Sequence, residues 1–300
     1  MADRSSAEAN LGAGMPQALS SPLPDGLVDA LAQDPTEAPD AARIDVRDLG
    51  PLAVVTLQRA DRLNALDYQA WCQLAAAFDG FRNRQDLRLV ILRGAGDRAF
   101  AAGADIREFP RQRQTAEVAV RYNEAVAAAL SAVMALPLPV IAMLNGLAVG
   151  GGCELAAACD VRISARHAKL GIPVGQLGVM LGPVESYAVA RVIGPARLKW
   201  LLFSGELLSA EQAERIGLVD RVVDQADLVA EVASLARTIL RSSPHTMQAA
   251  KQVTDMVDRG LTLRDTDVVT RLTVDTYSGS ELKRRVSAFL ERSAPKRKEG

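Results

Sequence analysis

Apolar residues fall along this chain in short blocks, and the spacing inside the blocks alternates between strand-like and helical. Residues 44–49 and 52–57 are apolar runs split by Gly50-Pro51, a pair that reads as the turn of a hairpin. Residues 67–84 repeat Trp71, Leu74, Ala75 and Phe78 at helical spacing. Residues 89–92 are continuously apolar, the pattern of a strand buried on both faces. Residues 115–136 predict a long alanine-rich helix stopped by Pro137. Residues 140–144 predict another buried strand, 151–159 a helix and 161–165 a strand again. From Val184 onward the pattern is helical, ending in a basic segment over 282–298. This order predicts an α/β core over residues 43–240 and a helical C-terminal region over 241–300.

Residues 1–42 break the pattern. Pro16, Pro22, Pro24, Pro35 and Pro39 interrupt any element that starts there, and the Ala, Ser and acidic residues between them offer no packable face. The stretch reads as a disordered tail, dispensable for folding, with room for one short helix at 26–33.

Composition narrows the function classes. The chain has 300 residues, 49% hydrophobic and 24% charged, which suits a globular protein with a sizeable core. A net charge of −1 provides no global field for nucleic acid or an anionic membrane. The basic runs 283–285 and 296–298 are short and lack interleaved aromatics, so they read as solvated surface. Cys72, Cys153 and Cys159 are an odd number at no metal-ligand spacing; they predict small buried side chains in a reducing compartment, and no metal. No apolar run has the length of a membrane span, and the first residues lack a signal-peptide core, so a cytoplasmic protein is expected.

Candidate chemistry lies in two glycine-containing loops, 93–105 and 145–155, each directly after a buried strand. Gly150-Gly151-Gly152 lets a ligand approach the backbone and leaves the first N–H groups of a helix unpaired. Ala104, on a tight Gly-Ala-Asp turn, supplies a second N–H. Two such donors converging on one oxygen form an oxyanion hole, although most glycine-rich turns are only turns. The dinucleotide-binding glycine spacing is absent. His167 and His245 lie near no motif serine, which argues against a Ser-His-Asp hydrolase.

The motifs taken together decide between these readings. Arg62-Leu63-Asn64-Ala65-Leu66, the run from Ala99 to Asp105, Asn145-Gly146, the run from Gly150 to Leu155, Cys159-Asp160, Phe203-Ser204-Gly205, Gly217-Leu218-Val219 and the run from Ser287 to Glu291 occur in order. Over residues 44–292 the chain thereby resembles the crotonase (enoyl-CoA hydratase/isomerase) superfamily. The resemblance implies a crotonase-like spiral of ββα units and a C-terminal trimerisation region, in a homotrimer or doubled trimer. It implies an acyl-CoA substrate with no separate cofactor, and a thioester oxygen held by the Ala104 and Gly151 amides.

By the same resemblance, Glu154 matches one of two glutamates that flank the reacting carbons in hydratases. The second is expected after Gly171, where Val174 stands instead. Valine can neither activate water nor protonate a carbon, and the isomerases rely on the same glutamate. Glu185, after Gly182-Pro183-Val184, is a candidate substitute, although it reads more readily as a helix N-terminal acid. Tyr187 and Glu124 are weaker candidates. Arg62, Ala102, Asp105, Arg107, Gly150 and Gly182 match positions around the CoA and the acyl group, while Phe289 and Arg292 match the adenine end. Acyl-pocket residues are expected in 110–122 and 181–185. The leading expectation is a lyase or isomerase with Glu154 as the surviving acid/base. The alternatives are a CoA-ester hydrolase or decarboxylase, which lean more on the oxyanion hole, or a catalytically weak acyl-CoA or RNA-binding relative.

Overall fold

The computed structural model describes residues 24–34, 43–260, 266–278 and 280–293. It opens with helix α1 (Leu27–Ala32), followed by the hairpin β1 (Ile44–Asp48) and β2 (Leu52–Leu57) and by α2 (Tyr68–Phe81). Three strand–strand–helix units then repeat. The first is β3 (Leu89–Gly94), β4 (Ala99–Ala101), a short α3 (Phe109–Gln112) and α4 (Ala116–Met134). The second is β5 (Val140–Leu144), β6 (Leu147–Val149) and α5 (Gly151–Ala158); the third is β7 (Val161–Ala165), β8 (Lys169–Gly171) and α6 (Pro183–Ile193). The chain continues through α7 (Pro195–Ser204), β9 (Leu208–Ser209), α8 (Ala210–Arg215), β10 (Arg221–Val223) and α9 (Leu228–Arg241). It ends in α10 (Pro244–Asp258), α11 (Thr266–Tyr277) and α12 (Ser280–Ser293).

Each unit gives its first strand to one sheet and its second to another. The large sheet runs β1-β2-β3-β5-β7-β10, parallel except for the β1–β2 hairpin; the small one runs β4-β6-β8-β9. The result is a crotonase-like spiral of ββα units. Alternate residues of the same apolar runs serve opposite faces. Val55, Val90, Leu92 and Ala142 face α2 and α4, while Val54, Leu89, Ile91 and Ile141 face the core beneath α9. This two-sided burial explains why the sequence shows continuous apolar runs rather than alternation.

In the small sheet, β4 and β6 lie inside what reads in sequence as glycine loops, and all four strands have only two or three residues, too few for any period to register. Cys72 is exposed on α2, contrary to the expectation of three buried thiols, whereas Cys153 and Cys159 are buried.

The tail expectation is corrected for residues 24–34; the rest of 1–42 up to Ala42 lies outside the described residues. Leu27, Ala30 and Leu31 of α1 are buried in the core that α9 covers. The segment also satisfies a buried cation. Arg93, 3% exposed, donates to the Ala30 carbonyl at 3.2 Å and the Gln33 carbonyl at 3.0 Å, and pairs with Asp34 at 2.8 Å. Six helical residues between prolines bury two leucines, which composition alone does not reveal. Leu31→Ala should therefore destabilise the protein by about 2–5 kcal/mol, the cost of emptying a fully buried leucine site. Chemical denaturation would read this; an unchanged midpoint would mean that α1 contributes nothing to the core.

Candidate active site

The two glycine loops meet at the carboxyl end of the small sheet. Gly103 has φ 95°, and a Cβ there would lie 2.7 Å from the Val149 carbonyl oxygen and 3.4 Å from the Gly151 nitrogen. A Cβ on Gly152 would overlap the Ala101 carbonyl. Both positions need glycine because one backbone lies against the other. Beside them, Leu66 N–H donates to the Gly103 carbonyl and Asp105 N–H to the Leu66 carbonyl. These two bonds pin both neighbours of Ala104 to the 59–66 turn. The Ala104 N–H itself has no acceptor among the described residues, nor has the N–H of Gly151, the first residue of α5. A Cβ built on Gly151 would lie 3.8 Å from the Ala104 nitrogen, so the two free amides are neighbours.

These amides border a cleft of about 720 Å³, counting the space at its mouth. Ala102, Ala104, Gly150, Gly151, Glu154 and Glu185 all line it. Glu154 projects from the first full turn of α5 and Glu185 from the first turn of α6; they are 5% and 6% exposed. Neither carboxyl group has a hydrogen-bond partner among the described residues, an arrangement that penalises a buried charge. Burial, with the neighbouring Glu185 carboxylate adding to it, pushes the Glu154 carboxyl up to about 8. Burial and the neighbouring carboxylate thus both favour the neutral form of Glu154.

Gly182 explains how Glu185 fits: a Cβ there would meet the Glu185 Oε2 atom at 2.5 Å. Val174 lines the same cleft, half-buried, and offers only methyl groups. The pairing thus brings together two residues that the sequence left in different categories, one a motif glutamate and the other readable as a helix-capping acid.

The family model described as enoyl-CoA hydratase/isomerase matches residues 49–300. The chain belongs to that family, within the crotonase superfamily. It is 32% identical over 249 residues to the short-chain-enoyl-CoA hydratase of Clostridium acetobutylicum, covering 81% of this chain and 92% of that one. It is also 32% identical to the crotonyl-CoA hydratase of Syntrophomonas wolfei, covering 80% and 92%. Among solved structures, an enoyl-CoA hydratase/carnithine racemase from Magnetospirillum magneticum superimposes with a TM-score of 0.79 at 36% identity, covering 84% of this chain and 93% of that one.

Several family-matched positions lie elsewhere than the cleft. Asp105 turns its carboxylate away, onto Arg59 at 2.8 Å and Arg62 at 3.4 Å. Burial would raise its pKa, but the Arg59 hydrogen bond and the Arg107 backbone N–H hold it below the usual carboxylate range. Asp105 is thus a brace for the loop carrying Ala104, not a ligand contact through its side chain. Arg62 and Arg107 are exposed beside it, outside the cleft lining, and Gly182 acts by making room for Glu185. Phe289 is exposed on α12 and does not line the cleft; the Arg292 side chain lies outside the described set. Glu124 is exposed, and the Tyr187 hydroxyl donates to Asp258, so neither joins the pair.

Arg113, Tyr122, Leu181 and Glu185 line the cleft from within the two ranges expected to hold acyl-pocket residues, whereas Trp71, Phe109 and Asn123, which also line it, fall outside them. Trp71 reads as one more apolar residue of a helical period. Its polar edge is the only sequence signal, and the fold uses it: indole Nε1–H donates to Tyr122 Oη at 3.3 Å. Among the described residues no cluster of His, Cys, Asp or Glu could hold a metal, and no helix is long and apolar enough to cross a membrane.

Proposed function

We propose that this chain hydrates a 2-enoyl-CoA thioester, with the enolate oxygen at the Ala104 and Gly151 amides and with Glu154 and Glu185 as the acid/base pair. The observation that carries this reading is the second carboxylate: Glu185 lies beside Glu154 in the cleft, restoring what Val174 removes. Glu185, as the base, takes a proton from water as the water oxygen adds to the β-carbon. Charge moves to the thioester oxygen, where two preorganised N–H groups receive it. The neutral Glu154 gives its proton to the α-carbon, leaving Glu154 ionised and Glu185 protonated; exchange with solvent resets the pair. The hydratase names of the relatives support water as the nucleophile. A homotrimer or doubled trimer belongs to the same reading, supported by exposed apolar side chains such as Val257 and Tyr277 on the C-terminal helices.

The pH profile tests the assignment. Because Glu154 must carry a proton, kcat/KM should fall as pH rises through about 8. The same group sets a stability trend of matching sign. Its folded pKa lies above its ordinary 4.5, so the folded state binds the extra proton, and stability is lost as pH rises from about 4.5 through about 8. Loss of enoyl-thioester absorbance against pH reads the first, and thermal melts read the second. A rate that climbs across pH 8 would make Glu154 the base instead, and a rate of zero with every 2-enoyl thioester would reject hydration.

A further inference from the structure

Two side chains separate the Gly151 amide from a cation, Arg113, that has no ion-pair partner among the described residues. A Cβ on Gly151 would touch Trp71 at 2.9 Å, Trp71 donates to Tyr122, and Arg113 stands against Tyr122. The guanidinium carbon lies 5.1 Å from the Tyr122 ring centroid and 4.7 Å from that of Phe109. Two aromatic rings thus hold the guanidinium within the cleft lining and leave recognition to its N–H donors.

Those donors are poorly used. Arg113 makes one long hydrogen bond, from Nη1 to Asn123 Oδ1 at 3.4 Å, and its buried Nε has no partner. Half-buried, it has no ion-pair partner among the described residues, whereas the buried arginines each have one: Arg59 pairs with Asp105, Arg93 with Asp34 and Arg162 with Asp220. Asn123 also lines the cleft, and its side-chain oxygen accepts from Arg113, so its amide N–H groups are not spent on that contact. The nearby acid Glu108 is engaged with the Tyr68 N–H at 2.8 Å. Glu154 and Glu185 stand at the reacting end.

A bound acyl chain that ended in a methyl group would strip water from this cation without replacing it. We infer that the acyl group ends in a carboxylate received by Arg113 and Asn123, so that the substrates are CoA thioesters of dicarboxylic acids. The inference rests on the acyl-CoA reading above and adds the identity of the distal group. A guanidinium fork suits a carboxylate through two parallel charge-assisted hydrogen bonds.

Equilibrium binding of non-reacting thioesters tests this apart from catalysis. Succinyl-, glutaryl- and adipyl-CoA would each be compared by calorimetry with the methyl-ended thioester of similar length. At the best-fitting length the wild type should bind the carboxylated member ~10–100-fold more tightly, as a charge-assisted hydrogen-bond pair in a partly buried site provides. Arg113→Met should bring that ratio close to one, Arg113→Lys should keep part of it, and added salt should reduce it. Should Arg113→Met fail to fold, Asn123→Ala and the salt series read the same preference. Equal or weaker binding of every carboxylated member by the wild type overturns the inference, as does a preference that survives Arg113→Met. A parallel hydration assay separates the two readings. Methyl-ended enoyl thioesters hydrated without any carboxylate preference would leave the Glu154–Glu185 reading standing alone. Arg113-dependent carboxylate binding without hydration would leave the substrate inference standing alone.

Discussion

Glu154→Gln should lower kcat for enoyl-thioester hydration by ~10²–10⁴-fold, the usual contribution of a positioned acid or base. Glutamine keeps the shape of the side chain but has no proton to give at neutral pH. The fold should survive, because the substitution removes a buried carboxyl whose ionisation is opposed by burial and by Glu185. Above pH 8 the variant should melt at a higher temperature than wild type, for the linkage reason already given. Glu185→Gln should cost a similar factor. The double variant should lose far less than the product of the two, since both groups serve a single addition step and the amides of Ala104 and Gly151 still operate. Initial rates of absorbance loss for the four proteins decide the matter. Near-wild-type turnover by Glu154→Gln would remove that residue from the chemistry. A loss confined to Glu154→Gln would return water activation to some group other than Glu185.

How much of this was legible beforehand differs by scale. Large periodic elements were, because each carries several residues of one pattern: α2, α4 and the strands β3, β5 and β7 fall close to where apolar spacing places them. Helix α1 was legible only as room for a short helix at 26–33, and its burial was not, because six residues carry less than two turns of pattern and its role depends on a partner, Arg93, some sixty positions away. The small sheet escaped for the same reason of length. At the site, the glycines and Glu154 were named from motif order, whereas Glu185 was named only as a candidate substitute with a second reading beside it. A helix N-terminal glutamate has the same sequence appearance whether it faces solvent or a second carboxylate. Only the packing of α6 on α5, with Gly182 leaving the needed space, distinguishes the two. Asp105 errs in the opposite direction. Its motif position suggested a ligand contact, but Arg59, which carries no motif signal, takes up its carboxylate.

Gly151→Pro should reduce turnover ~10²–10³-fold relative to Gly151→Ala, the effect of losing one oxyanion donor. The comparison with alanine matters because any Cβ at this position meets the buried Trp71, 2.9 Å from Cζ2. Both variants therefore share that disturbance, and only proline also lacks the N–H. Backbone geometry permits the exchange: Gly151 is not among the residues with positive φ, and it is the first residue of α5, where proline is well accommodated. Binding should respond less than rate. In the ground state the thioester oxygen carries little charge, so a missing donor is felt mainly when the enolate forms. The Kd for a saturated acyl-CoA should accordingly change by a much smaller factor than kcat. Circular dichroism and thermal melts would first establish that both variants fold. Equal turnover by folded Gly151→Pro and Gly151→Ala would show that the Gly151 amide does not hold the developing oxyanion. The Ala104 amide would then have to act with some other donor of the cleft.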